Sequence, residues 1–133
     1  MTDTPKLFRV VLEVADLEKA VAFYSKLLGL EGRMQRGSRA YFDCGPVILA
    51  ILDPTPGGLE PKPNSGDVYF AVKDIDQIYT RARELNCLSH EGVHGVSGGE
   101  VVVRPWGERS FYAIDPWGNG LCFVDETTLF TGK

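Results

Sequence analysis

The sequence predicts an α+β fold built from two similar half-modules, and three observations carry that prediction. A strand–helix unit is written twice. Val10-Val11-Leu12-Glu13-Val14-Ala15-Asp16 opens one copy and Val68-Tyr69-Phe70-Ala71-Val72-Lys73-Asp74 opens the other. Each copy passes from an alternating strand through an Asp into a segment with apolar residues at three- and four-residue spacing. Further short apolar segments follow each helix, as strands do. Between the copies lies Asp53 to Asp67, with four prolines and three glycines. That composition reads as a linker. The expected organisation is one domain over residues 1–133, with half-modules at about 7–53 and 66–125 and a linker at 54–65.

The elements follow in order. The first strand is expected near Phe8 to Val14. Asp16 is a natural helix N-cap, Leu17, Ala20, Val21, Tyr24, Leu27 and Leu28 make one helical stripe, and Gly29 supplies the stop. Strands are expected near Gly32 to Gln35, Ala40 to Cys44 and Val47 to Leu52, the last two joined by a tight turn through Gly45-Pro46. In the second half, Asp74 with Gln77 forms a capping box, and Ile75, Ile78, Tyr79, Ala82 and Leu85 form the stripe. Gly92 to Gly99 reads as a glycine-rich loop. Strands are expected near Glu100 to Arg104, Ser110 to Ile114 and Leu121 to Val124, with Asp115-Pro116-Trp117-Gly118-Asn119 as a turn.

Strand alternation also sorts the side chains. Val10, Leu12 and Val14, Leu49 and Ile51, Val68, Phe70 and Val72, and Leu121 and Phe123 should pack beneath the helices. The opposite faces carry Arg9, Val11 and Glu13, Ile48, Ala50 and Leu52, Asp67, Tyr69 and Ala71, and Gly120, Cys122 and Val124. This mixture of small and charged residues suits a lined cavity or a solvated sheet face.

Bulk properties narrow the function. A formal charge of −4 without a basic block argues against nucleic-acid binding. With no long apolar run and no signal-peptide pattern, a cytoplasmic protein without a membrane partner is expected. Three widely spaced cysteines, Cys44, Cys87 and Cys122, fit reduced thiols better than a disulfide framework.

The Asp-capped helix reading Phe23-Tyr24-Ser25-Lys26-Leu27-Leu28-Gly29-Leu30 and the late Asp115-Pro116-Trp117-Gly118-Asn119 turn, in this order, resemble the vicinal-oxygen-chelate superfamily. That group includes glyoxalase I, extradiol dioxygenases, fosfomycin-resistance enzymes and bleomycin-resistance proteins. The resemblance covers Leu7 to Val124 and implies two βαβββ modules forming a curved mixed β-sheet cup, with helices on the outer face. Pro105-Trp106-Gly107-Glu108-Arg109-Ser110-Phe111 looks most like the bleomycin-resistance branch, although it runs one residue longer than that pattern. The proline typical of that branch's first strand would fall at Val10. The branch implies a homodimer that sequesters a bulky cationic ligand, catalyses no reaction and confers antibiotic resistance.

Enzymes of the superfamily hold a divalent metal through one residue from each of four strands. The resemblance puts those places on Arg9, Ala50, Asp67 and Cys122. A guanidinium cannot ligate a metal and alanine has no donor, so the expectation is the scaffold without metal or cofactor. The expected function is metal-independent binding of a small molecule, cationic or aromatic. The alternative is a divalent-metal-dependent lyase, isomerase or dioxygenase with displaced ligands among Asp67, Glu13, Cys122 and His94. A third reading is a small module that binds another protein.

Arg9 and Asp67 either hold a polar ligand or pair with each other. Trp106 can stack on a ligand, or anchor its loop or a dimer interface. Tyr69 shares the strand parity of Asp67 and is the next lining candidate, with Tyr41 and Phe111 behind it. Cys122 is either a reactive thiol or a small buried hydrophobe. His90 and His94 are four residues apart but sit among glycines, which favours a loop over a helical metal pair.

Overall fold

The computed structural model describes residues 3–93 and 96–133. His94 therefore lies outside the described residues. The chain divides into two compact units, Met1–Lys62 and Pro63–Lys133.

In the first unit, strand β1 (Arg9–Glu13) leads into helix α1 (Leu17–Leu28), followed by β2 (Arg33–Gln35), β3 (Arg39–Cys44) and β4 (Val47–Leu52). The helix begins where expected because the Asp16 carboxylate accepts the backbone N–H of Lys19 at 3.1 Å. It ends at Gly29, whose φ of 68° is the left-handed conformation that glycine adopts without a Cβ penalty. The sheet order is β1-β4-β3-β2, with β1 parallel to β4 and the other pairs antiparallel. Ala20, Phe23, Tyr24 and Leu27 bury one side of α1. Leu12, Val14, Phe42, Leu49 and Ile51 are buried on the sheet.

The second unit repeats the plan. It contains β5 (Val68–Val72), α2 (Ile75–Glu84), β6 (Gly92–Val93), β7 (Val96–Ser97), β8 (Val102–Val103), β9 (Arg109–Ile114) and β10 (Gly120–Asp125). Its main sheet has the order β5-β10-β9-β8, again with one parallel pair, β5 with β10. Asp74 caps α2 by accepting the N–H of Gln77 at 3.1 Å. Beneath α2, Phe70 and Phe111 both stack on Phe123, with ring centroids 5.1 and 5.3 Å apart. Tyr79 of α2 meets Phe111 edge-on at 5.4 Å. Together the two units give the α+β, two-module architecture.

Three details depart from expectation. Gly92 to Gly99 is not wholly a loop, because β6 and β7 pair as a small hairpin, and the Gly98 N–H continues it by donating to the Glu91 carbonyl at 2.8 Å. The strand expected over Glu100 to Arg104 shrinks to β8, because Arg104 already turns toward Glu108, its N–H donating to that carbonyl at 2.7 Å. Leu85 caps α2 rather than extending its stripe. The tail beyond Asp125 is tied down. Thr128 Oγ1 accepts the N–H of Arg109 at 3.0 Å, and the N–H of Phe130 donates to Glu108 at 3.0 Å.

Candidate functional site

Each sheet has one face under its helix and one face turned away from it, and the second kind carries most of the candidate residues. Pairing register fixes who shares that face, because alternate residues of a strand point to opposite sides.

In the first unit, Val11, Ala50, Tyr41 and Arg33 form one row across β1, β4, β3 and β2. Arg9 and Arg39 lie on the same face in the flanking rows. The structure brings Arg9 and Tyr41 together, the guanidinium donating to the phenol oxygen. The same guanidinium lies over two rings, 4.8 Å from the Phe8 centroid and 5.4 Å from that of Tyr41. Arg39 and, after it, Arg9 hold the Tyr41 phenol below the ordinary tyrosine range, against an opposing effect of burial. Ala50 is buried and offers only a methyl group. Glu13 accepts the backbone N–H of Lys62 at 2.9 Å, which gives its carboxylate a structural duty.

In the second unit, Tyr69, Cys122 and Tyr112 form the corresponding row. The Tyr69 and Tyr112 hydroxyls are 3.3 Å apart, with their rings edge-to-face. Tyr69 is exposed, whereas Tyr112, Cys122 and Val124 form a small buried cluster. Arg104 lies over the Tyr112 ring at 5.0 Å. It is only 2% exposed, yet no ion pair to it occurs among the described residues. It bonds instead to Ser110 Oγ at 2.9 Å and to the Ser110 carbonyl at 3.0 Å, leaving Nη1 buried without a hydrogen-bond partner. A guanidinium held by neutral oxygens keeps most of its positive field.

Burial pushes the Cys122 thiol up to about 12, outweighing hydrogen bonds to Tyr112 and Ser110 and the charge of Arg104, all of which lower it. Burial and the Tyr69 hydroxyl likewise keep Tyr112 protonated. Asp67 is exposed, and its carboxyl is raised, first by partial burial and then by the charge of Glu91. Its carboxylate lies against the Gly120 backbone, where an added Cβ would come within 2.3 Å of Oδ1.

Two candidates stand elsewhere. Phe111 pairs with Phe123, not with Cys122, so parity turns it to the helix side, where it is fully buried. The expectation that it lines a site is corrected accordingly. Trp106 sits in the β8–β9 turn with its indole N–H donating to Glu108 at 2.7 Å, in keeping with the loop-anchor reading. His90 is exposed. Arg39, Arg104, Ser110 and Tyr112 were missed. Arg39 is two residues from Tyr41 and Tyr112 two from Ser110, so parity signalled shared faces, but only register matched Tyr112 to Cys122.

This arrangement of modules has known counterparts. The family model of the Glyoxalase/Bleomycin resistance protein/Dioxygenase superfamily matches residues 6–123. The chain belongs to that superfamily. Solved members of the glyoxalase fold agree with it over nearly their full length. The chain is similar to "Oxidase ChaP-H2", with 25% identity and TM-score 0.71, covering 92% of this chain and 94% of the other. It is similar to a lactoylglutathione lyase from Agrobacterium tumefaciens, with 25% identity, TM-score 0.63 and coverage of 93% and 96%. TioX from Micromonospora sp. ML1 shares the fold at 18% identity, TM-score 0.67 and coverage of 92% and 99%.

The superfamily's metal can be tested against this donor set. In the first unit the two equivalent places hold a guanidinium already bonded to Tyr41 and a buried methyl group. In the second they hold the exposed carboxylate of Asp67 and the buried thiol of Cys122, ligands of different hardness. No cluster of three or more His, Cys, Asp or Glu side chains able to hold a metal occurs among the described residues. The described residues at these four places do not fit a divalent ion. No helix among the described residues is long and apolar enough to cross a membrane.

Proposed function

We propose that this member of the glyoxalase superfamily is a metal-independent small-molecule binding protein, which sequesters its ligand in the manner of the bleomycin-resistance branch and works as a homodimer. The observation that carries this reading is the chemistry at the four metal places. Arg9 and Ala50 offer no lone pair to a cation. Cys122 is a soft ligand and Asp67 a hard one, a poorly matched pair for one divalent ion. Asp67 is the one hard ligand of the four, and one carboxylate does not retain a divalent ion against water.

Binding by such a surface relies on aromatic contact and hydrogen-bond donors. Tyr41 and Tyr69 present phenol groups on the faces away from the helices, each within reach of a neighbouring polar group. Among the described residues of these faces, burial disfavours the Cys122 thiolate and Glu13 is engaged by the Lys62 backbone. The test is elemental analysis of the native protein after dialysis without chelator. The expected result is far less than one divalent ion per chain and a thermal midpoint indifferent to added chelator. One ion per chain, lost on Asp67→Ala, would replace this reading with a metal-dependent enzyme.

A further inference from the structure

The face of the first unit away from α1 carries three arginines, and they are not treated alike. Arg33 pairs with Asp43, an exposed contact across the β2–β3 hairpin. Arg9 and Arg39 have no carboxylate of their own unit within ion-pair distance among the described residues. The nearby acid is thus spent on the outer arginine, although register puts Asp43 in the same row as Arg9, across Ile48. What Arg9 and Arg39 share instead is Tyr41.

We propose that Arg9, Arg39 and Tyr41 form an oxyanion subsite that takes the carboxylate or phosphate group of a small organic ligand. The proposal rests on the small-molecule binding reading and names the ligand class for it. Three features make this a prepared site rather than a patch of surface charge. Arg9 is held between the Phe8 and Tyr41 rings, so its fork of donors is oriented before any ligand arrives. The Nε of Arg39 is buried and has no hydrogen-bond partner, which leaves a desolvated donor in need of an acceptor. All three residues are half-buried, open enough to be reached and sheltered enough for charge to count.

The lowered phenol of Tyr41 reports the positive field there. A cationic ligand, as the resemblance suggested, would be repelled by both guanidiniums, whereas an oxyanion would accept from them.

The experiment uses benzoate and its uncharged counterpart benzamide, titrated calorimetrically into the native protein, with inorganic phosphate as a ring-free anion. Ultraviolet titration of the tyrosines is repeated with and without phosphate. Benzoate should bind about tenfold or more tightly than benzamide, with the preference shrinking as salt rises. Phosphate should shift the Tyr41 titration upward by neutralising the guanidiniums. Arg39→Gln and Arg9→Gln should each abolish the preference, and Arg33→Gln, on the same sheet but paired with Asp43, should keep it. Equal affinity for the two probes, or no binding of either with an unmoved tyrosine titration, would overturn the subsite. Anion preference beside one tightly held metal per chain would instead defeat the metal-free reading and leave the subsite standing.

Discussion

Challenging the native protein with an aromatic disulfide reagent at about pH 8 tests the claim that Cys122 is a protonated, enclosed thiol in the metal-free protein. A thiol at the ordinary value of 9.0 is about one-tenth ionised at that pH. One at about 12 is ionised to roughly one part in ten thousand, about a thousandfold less. Zero solvent exposure of Cys122 slows attack further. Cys87, 3% exposed and raised to about 11, should be nearly as inert, since burial and the charge of Asp115 both act against its thiolate. Cys44 is only partly buried, at the β3–β4 turn, and should react first. The expected trace is one thiol released quickly per native chain and three in denaturant. Cys44→Ser should remove the fast phase. Rapid native labelling of Cys122, located by peptide mapping, would refute the reasoning. The thiol would then be both accessible and ionisable, and a metal or covalent role would regain its footing.

Two further outcomes follow from the same structure. Because Cys87 and Cys122 have raised pKa values in the folded state, the unfolded chain loses these protons first. Their stabilising contribution is complete below about pH 9 and declines as pH rises toward 11 and 12. Tyr112 acts in the same direction and the half-buried Tyr41 weakly against it. Urea midpoints should therefore fall between about pH 9 and 11, with a shallower fall in Cys122→Ala, and a flat profile in the parent would contradict the burial of these groups. Gly99→Ala should lower the thermal midpoint by the equivalent of about 2 kcal/mol or more, because its Cβ would sit 2.3 Å from the Ser89 carbonyl oxygen, a backbone atom that cannot rotate aside. Gly57→Ala, with nothing within 4 Å, is the control and should leave the midpoint within a degree or two. Equal melting of both variants would show that the segment around Ser89 yields.

What the sequence determined was local or periodic. Asp16 and Asp74 mark helix starts because a short carboxylate satisfies a backbone N–H three residues on, whatever the tertiary context. The alternation of Val10, Leu12 and Val14 and of Val68, Phe70 and Val72 named the helix-facing sides because period-two geometry belongs to a single strand. Arg9, Ala50, Asp67 and Cys122 were assigned by resemblance, and that a guanidinium and a methyl group offer a metal no lone pair was legible from side-chain chemistry alone. The pairing was decided only by tertiary structure. Whether Phe111 or Tyr112 stands beside Cys122 turns on a register shift of one residue, and it is settled by the stack of Phe70, Phe111 and Phe123 beneath α2. That Asp43 goes to Arg33 and leaves Arg9 and Arg39 around Tyr41, and that Arg104 is buried on hydroxyl and carbonyl oxygens, depends on strands brought together from distant parts of the chain. An acid and a base written in one sequence carry no record of which will meet. Burial and strand register choose the partners, and with them the sign of the field a ligand would feel.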